Sequence, residues 1–432
     1  MPAPLTAGEF AGLMERLGPF ERYPLLAVGV SGGADSMALA LLAAGWAGVR
    51  GGRVLALIVD HGLRAASAGE AAQVRGWLAA RGVAARILRW TGPKPSTGIQ
   101  RHAREARHAL LAEACRGQGS LHLLLAHHRD DQAETVAMRA ERKSGAAGLA
   151  GIPAIREIEG LRLLRPLLEV PKDRLVASLA AAGQAWIEDP SNGEERFARG
   201  RLRRSADFAP EPWLALGSEM AARRRAEDLA DAAFLAAHAS VHPLGFVRCE
   251  RPALAALEPA GRARVLARIL TSVGGRSLPP RGEQVARLAQ WLAMPGGTGS
   301  RTAGGCRVAA AGRRFAACRE AGRIAQRGWL EPGGETLWDG RFRIASTATD
   351  RRIEVAAAGP AGRAMLAPGT RATLRRQGVP AAAVEALPAV REEGAAAFSP
   401  LADAASCPGG VRMCFAPHIP LATPSFRGAN VV

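Results

Sequence analysis

Lysine is nearly missing from this chain of 432 residues: Lys94, Lys143 and Lys172 are the only three. Arginine carries almost all of the positive charge. A biased base composition would explain arginine in place of lysine, but not an excess of 57 basic over 39 acidic residues. A net charge of +18 and a pI near 11.2 favour a polyanionic partner, with nucleic acid the first candidate. Paired cysteines are missing too. Cys115, Cys249, Cys306, Cys318, Cys407 and Cys414 form no C-x-x-C pair, which fits a reducing cytoplasm better than a disulfide scaffold. No apolar run reaches the length of roughly 18 residues that a membrane span needs. Glu9, Glu15 and Arg16 interrupt the N-terminal segment, so no signal peptide is expected. No internal repeat is visible.

What is present reads as a large globular enzyme. The length exceeds one compact core, so two or three domains are expected. Residues 24–168 alternate apolar strand-like runs (24–30, 53–60, 85–90, 121–126) with helix-like segments (67–81, 98–116, and one opened by Asp130). Ser67, with Glu70 three positions on, reads as a helix cap. This alternation predicts an α/β fold with a doubly wound parallel sheet, whose ligands gather at the carboxyl ends of the strands. Residues 171–183 read as a helix, and 186–192 as a turn. Beyond about 205 the chain turns to Ala/Arg/Leu-rich segments (218–238, 253–274, 281–294) that predict a helical domain. After about 325, short strand-like pieces such as 340–344 predict a small α+β domain. The expected division is 1–210, 211–325 and 326–432.

Ser31-Gly32-Gly33-Ala34-Asp35-Ser36 stands between the first strand and its helix. Two glycines there let backbone N–H groups close on an anion at the positive end of a helix. The serines add hydroxyl donors, and Asp35 is a Mg²⁺ ligand candidate. No lysine follows, as a Walker loop would require. The motif resembles the S-G-G-x-D-S loop of the PP-loop ATP pyrophosphatases, which implies an adenine nucleotide α-hydrolase-like fold and cleavage of ATP between its α and β phosphates.

Two further clusters fall at strand ends. Asp60-His61-Gly62-Leu63-Arg64 closes the second strand, either beside a nucleotide's base or ribose or as simple punctuation. His127-His128-Arg129-Asp130-Asp131-Gln132-Ala133-Glu134-Thr135 runs from a strand end into a helix. Three readings stand: a metal site using His, a helix cap by Asp131 with Glu134, or an active-site face on which Asp131 and Glu134 meet an ammonium or Mg²⁺. Adjacent His residues at a strand end point apart, which disfavours a chelate by both.

With Ser144-Gly145, Gly148-Leu149, Arg165-Pro166-Leu167-Leu168, Asp189-Pro190-Ser191-Asn192, Arg199 and Arg203, the ensemble over 24–205 resembles the tRNA(Ile) lysidine synthetase family. The resemblance of 206–432 rests mainly on length and on the order of its parts. It implies an ATP-dependent ligase that adenylates the C2 oxygen of the wobble cytidine in tRNA(Ile) with a CAU anticodon. Free L-lysine then displaces AMP to give lysidine. It implies ATP contacts by the loop, Asp60 and His61, catalysis by Asp35, Asp131 and Glu134, and Mg²⁺ on Asp35. It further implies tRNA contacts by Arg104, Arg107, Arg199 and Arg203, with Arg201 and Arg204 adding to the last group. The expected enzyme is cytoplasmic, free of membrane, and a monomer or homodimer. Gln100 for the family's Glu, His108 for its aromatic residue and Gly200 for its Asn are departures. A tRNA 2-thiolase of the same superfamily and a non-catalytic tRNA binder are the alternatives. The first generally needs a cysteine pair, and the second conflicts with an intact Asp35, Ser36 and Asp131.

Overall fold

The computed structural model describes residues 2–63, 66–92, 94, 97–158, 160–188, 202, 208–347, 350–392, 399–400, 410–422 and 428. Contacts divide the chain into two compact units, Met1–Ala226 with Ser425–Val432, and Glu227–Pro424.

The first unit is built on a six-stranded sheet in the order β3-β2-β1-β4-β6-β5. Its strands are β1 (Leu25–Val30), β2 (Arg53–Asp60), β3 (Ala84–Arg89), β4 (His122–Leu124), β5 (Ile155–Ile158) and β6 (Leu161–Leu164). All neighbours pair in parallel except β5, which closes the edge antiparallel to β6. The apolar runs are continuous because both faces are covered. Leu26, Val28 and Val30 join a core with α1 (Ala7–Glu15), α2 (Ala34–Val49), α3 (Ser67–Ala80) and α7 (Lys172–Ala181). Ala27 and Leu57 point the other way, toward Leu111, Ala114 and Cys115 of α4 (Ile99–Gln118). Helix α1 starts on a capping box: Thr6 Oγ1 accepts from Glu9 N–H (3.2 Å) while Glu9 Oε2 accepts from Thr6 N–H (2.9 Å). The doubly wound sheet expected from the sequence is thus present. β1 lies between β2 and β4, so the strand order reverses there, and the crevice beyond β1 and β4 is the natural ligand site.

Ser67 corrects one expectation. It is the first helical residue of α3, not the cap; Ala66 holds that place without a side-chain bond. The Ser67 hydroxyl instead donates to Asp60 Oδ1 at 2.8 Å.

The second unit corrects another. The region expected to be helical contains a five-stranded sheet, β7-β8-β11-β10-β9 (Ala239–His242, Phe246–Glu250, Arg314–Arg319, Cys306–Ala311, Gly299–Ala303). Its inner face, with Val247, Val308, Phe315 and Ala317, packs on helices Pro259–Gly274 and Gly282–Ala293 through Val265, Ile269, Val285 and Leu288. Strands such as Cys306-Arg307-Val308-Ala309-Ala310-Ala311 are short and alanine-rich. Local propensity reads them as helix, and only burial of alternate residues makes them strand. The remainder is α+β, with one sheet of Gly328–Leu330, Ile353–Ala357, Pro388–Glu392 and Ser399–Pro400 and another of Glu335–Trp338, Phe342–Ser346 and Val411–Phe415, around Trp338, Phe342, Ile344 and Val355.

Candidate active site

The loop after β1 is shaped by close approach. Gly32 has φ +90°, and a Cβ there would stand 2.7 Å from Val74 Cγ2 and 3.1 Å from Ile187 Cδ1. Its carbonyl accepts from Ile187 N–H at 2.9 Å, so the turn after α7 clamps the loop. Ser36 ties the turn together from the helix side. Its hydroxyl donates to Gly33 O (3.0 Å), and its Oγ accepts from Ser31 N–H (3.1 Å). Gly33 starts α2 with no side-chain cap, which leaves the first turn open to an anion.

That turn opens into a cavity of about 490 Å³, lined by Ser31, Gly33, Ala34, Asp35 and Ser36. The end of β4 contributes Leu125, Ala126 and His127; α5 (Arg129–Glu141) contributes Asp131; α4 contributes Arg107. Lys172 and Val176 of α7 and the segment Trp186-Ile187-Glu188 close it. Acidic groups therefore face cations across one cavity, an arrangement suited to an ammonium substrate beside phosphates.

His128 ties the acidic side together. Its ring is 2% exposed, with Nε2 at 3.5 Å from Asp35 Oδ2 and 3.6 Å from Asp131 Oδ2, and Nδ1 at 3.8 Å from Asp130 Oδ2. Burial opposes its charged form, but the bond to Asp35 and the charges of Asp131 and Asp130 outweigh it and raise the pKa. Asp131 Oδ2 also accepts from the His128 N–H at 3.2 Å, so His128 is the N-cap and Asp131 the reciprocating acid. Capping and cavity-lining are both true of Asp131.

The donors suit Mg²⁺. Asp35 Oδ1 is buried without a hydrogen-bond partner among the described residues, and Asp131 shares its cavity. Among the described residues no group of three His, Cys, Asp or Glu forms a ready-made cage. In nucleotide sites Mg²⁺ binds through one or two carboxylates plus phosphates, so no cage is required.

Comparison with known proteins narrows the chemistry. A PP-loop domain family model matches residues 10–207. A tRNA(Ile)-lysidine synthase of Methylobacterium nodulans is 44% identical over 65% of this chain and 85% of its own length. The chain belongs to the tRNA(Ile)-lysidine synthase family. The synthase of Ruegeria pomeroyi is 36% identical over 88% of this chain and 89% of its own. That of Rhodopseudomonas palustris is 52% identical over 42% of this chain, which spans 53% of that relative.

Set against this family, the expected site residues fall into three groups. Ser31, Gly33, Ala34, Asp35, Ser36, Asp131 and Arg107 converge on the cavity, with Gly32 packed beneath the loop against Val74 and Ile187. Glu134, Asp60, His61 and Arg104 do not line it. Glu134 is 1% exposed within α5, one turn beyond Asp131. Asp60 is buried, and its Oδ1 accepts from Gly62 N–H (2.9 Å) and from Ser67. Burial opposes its charge, but these bonds and Arg89 prevail and lower its pKa. His61 packs edge-on to Trp90, with its pKa lowered by burial and by Arg107. Arg64, Arg199, Arg201, Arg203, Arg204 and 189–192 lie outside the described residues. Sequence reasoning missed Lys172 and Glu188 as site residues, whereas His127, in the cluster expected at a strand end, does line the cavity. The rarity of lysine was the one available signal for Lys172.

The four buried thiols are held protonated. Cys115 is pushed up to about 11 and Cys249 to about 12 by burial, as are Cys306 (about 11) and Cys318 (about 12). None lines the cavity.

Proposed function

We propose that this protein ligates L-lysine to C2 of the wobble cytidine of tRNA(Ile) with a CAU anticodon, consuming ATP and releasing AMP and pyrophosphate. The observation that carries the reading is one cavity holding an open phosphate loop, three carboxylates (Asp35, Asp131 and Glu188) and two cations (Arg107 and Lys172), in a chain of the lysidine synthase family.

The cytidine C2 oxygen attacks the α-phosphorus of ATP, and pyrophosphate leaves with the electrons of the α–β bridge. The N–H groups at the start of α2 and the Ser31 hydroxyl hold the phosphates, while Ser36, whose hydroxyl donates to Gly33 O, keeps the turn in shape. Lys172 supplies from α7 the cation that a Walker loop would carry within its own motif. Mg²⁺ held by Asp35, with Asp131 in reach, would neutralise phosphate charge.

In the second step the lysine ε-amine attacks the activated C2 and AMP departs. Free lysine is protonated, with an ordinary pKa of about 10.4. Asp131 receives the ammonium and takes its proton; Glu134 backs it from the buried side of α5. His128 holds Asp35 and Asp131 on a common imidazole, which keeps both carboxylates turned to the cavity.

No helix among the described residues is long and apolar enough to cross a membrane. Buried unpaired thiols and the three substrates support a cytoplasmic setting. Labelled lysine offered with ATP and total tRNA tests the whole reading. Label is expected in one isoleucine tRNA, dependent on ATP; tRNA-dependent pyrophosphate release without lysine incorporation would refute it.

A further inference from the structure

Basic residues from α4 and from the antiparallel edge of the sheet share one side of the first unit. Arg104, Arg107 and His108 precede Leu111 at helical spacing and lie on its stripe of α4. Leu111 is fully buried among Leu123, Leu125, Leu161 and Leu163. Arg156 of β5 pairs directly with Leu163 of β6, and directly opposed residues share a face. Arg165 lies two positions beyond Leu163, so the strand period carries it to that face as well. Its N–H donates to Ala154 O at 2.9 Å, which continues the pairing past the strand end.

Among the described residues no acid forms an ion pair with the four arginines. Arg104, Arg107 and Arg156 make no hydrogen bond or ion pair among the described residues. Glu105, the nearest acid on α4, pairs with His102 at 3.4 Å. Arg165 is spent inside: Nη1 donates to Pro153 O (2.8 Å) and Nε to His127 Nδ1 (3.3 Å). His108 registers the crowding. Burial and the charges of Arg104, Arg107, Arg165 and Arg156 push it down to about 4, so it is neutral and adds no fifth charge.

Arg107 reaches the cavity, whereas Arg104 and Arg156 are exposed and lie outside it. The charge therefore extends from the cavity onto the surface of α4 and β5. A nucleoside triphosphate bound at the loop would leave this outer part unused. A chain of phosphodiesters entering the cavity would cross it, and arginine forks suit phosphate oxygens.

We propose that Arg156, on the same face as the Arg104 that the family resemblance already implies in tRNA contact, binds a backbone phosphate of the RNA strand that flanks the nucleotide entering the cavity. Arg156, from edge strand β5, is a contact that the motifs around the loop do not include. The proposal rests on the tRNA-modifying function above and names a surface for it.

The test uses the full chain, total tRNA and binding measured from 50 to 200 mM salt. Arg104→Ala and Arg156→Ala are each expected to lower the slope of log affinity against log salt by about 0.7–0.9, the release expected per phosphate contact. The double variant loses about twice that, so its loss of affinity at 50 mM shrinks by roughly ten-fold at 200 mM. Arg156→Lys keeps the parental slope, and KM for ATP stays within two-fold throughout. An unchanged slope in the alanine variants, against a steep parental slope, overturns the proposal and leaves Arg156 as a charge guarding a sheet edge. A raised KM for ATP with an unchanged tRNA slope overturns it in favour of nucleotide phosphate. Loss of binding with a lowered Tm, equal in Arg156→Lys, assigns the residues to folding. A parent that binds no tRNA removes the function reading itself, and this surface with it.

Discussion

Asp131→Asn changes the acidic wall of the cavity with almost no change of shape. Asp131 is 8% exposed, accepts from His128 N–H at 3.2 Å, and stands 3.6 Å from His128 Nε2. An amide oxygen keeps the first contact. What disappears is the negative charge that would meet a lysine ammonium. A hydrogen bond to a charged group contributes about 1.5–3 kcal/mol, so KM for lysine should rise roughly ten- to hundred-fold. The charge also sits in the first turn of α5, where it offsets the helix dipole by about 0.3–1 kcal/mol. A Tm lower by about 1–4 °C is therefore expected from that loss. Adenylation of the cytidine precedes lysine attack, so KM for ATP in tRNA-dependent pyrophosphate release should move little. The decisive comparison is lysine incorporation against pyrophosphate release in the same preparation. If both Michaelis constants rise together, Asp131 serves the nucleotide. If lysine KM stays within two-fold, the ammonium docks elsewhere and the assignment fails.

Glu134→Gln should lower Tm with lysine KM nearly unchanged, because Glu134 is buried behind the cavity wall; a large rise in lysine KM would show that Glu134 meets the substrate. Asp35→Ala should abolish tRNA-dependent pyrophosphate release while tRNA affinity stays near parental, and normal turnover would exclude Asp35 from the nucleotide site. Lys172→Met should raise KM for ATP about ten-fold or more, as loss of a charged phosphate contact implies, with partial rescue in Lys172→Arg; an unchanged KM would remove Lys172 from the phosphates. His108 titrates at about 4 in the folded chain and near 6.5 when unfolded, so its contribution to stability is intact above 6.5 and is lost as pH falls toward 4. His108→Phe should flatten that part of the Tm profile, and an identical profile in both proteins would contradict the basic cluster around the ring.

The sheet was legible because its strands are buried on both faces. Leu25–Val30 and Arg53–Asp60 are apolar nearly throughout, a pattern that few other environments tolerate. The second unit's sheet was not. Its central strands are short and bury both faces, Val247 and Phe315 on one and Phe246 and Cys318 on the other, while Cys306–Ala311 buries only Cys306, Val308 and Ala310 and carries arginine and alanine on the outer face. Alanine prefers helix locally, so the strand assignment depends on Phe315, Val247 and the helices beneath, which no local window contains.

At the site, the local motif was readable and the tertiary partners were not. Ser31 to Ser36 are contiguous, so their turn chemistry is written in one stretch. Lys172 and Ile187 approach the same loop only because α7 packs against α2 and the segment after it clamps Gly32. Asp60 is the opposite case. A carboxylate at the end of a central strand reads as a ligand group, yet a Gly62 N–H and the Ser67 hydroxyl bind its Oδ1. The difference between Asp60 and Asp35 is one of hydrogen-bond accounting. Both are acids at the β–α turns of neighbouring strands. Asp60 Oδ1 spends its lone pairs on the turn, while Asp35 Oδ1 is buried without a partner among the described residues. A buried oxygen left without a donor costs about 1–3 kcal/mol, a cost that a bound cation would offset at Asp35 and that does not arise at Asp60 Oδ1. Asp60→Asn should therefore perturb the β2–α3 turn and lower Tm without raising KM for ATP in pyrophosphate release. A raised KM with an unchanged Tm would restore Asp60 to the nucleotide site and break the distinction.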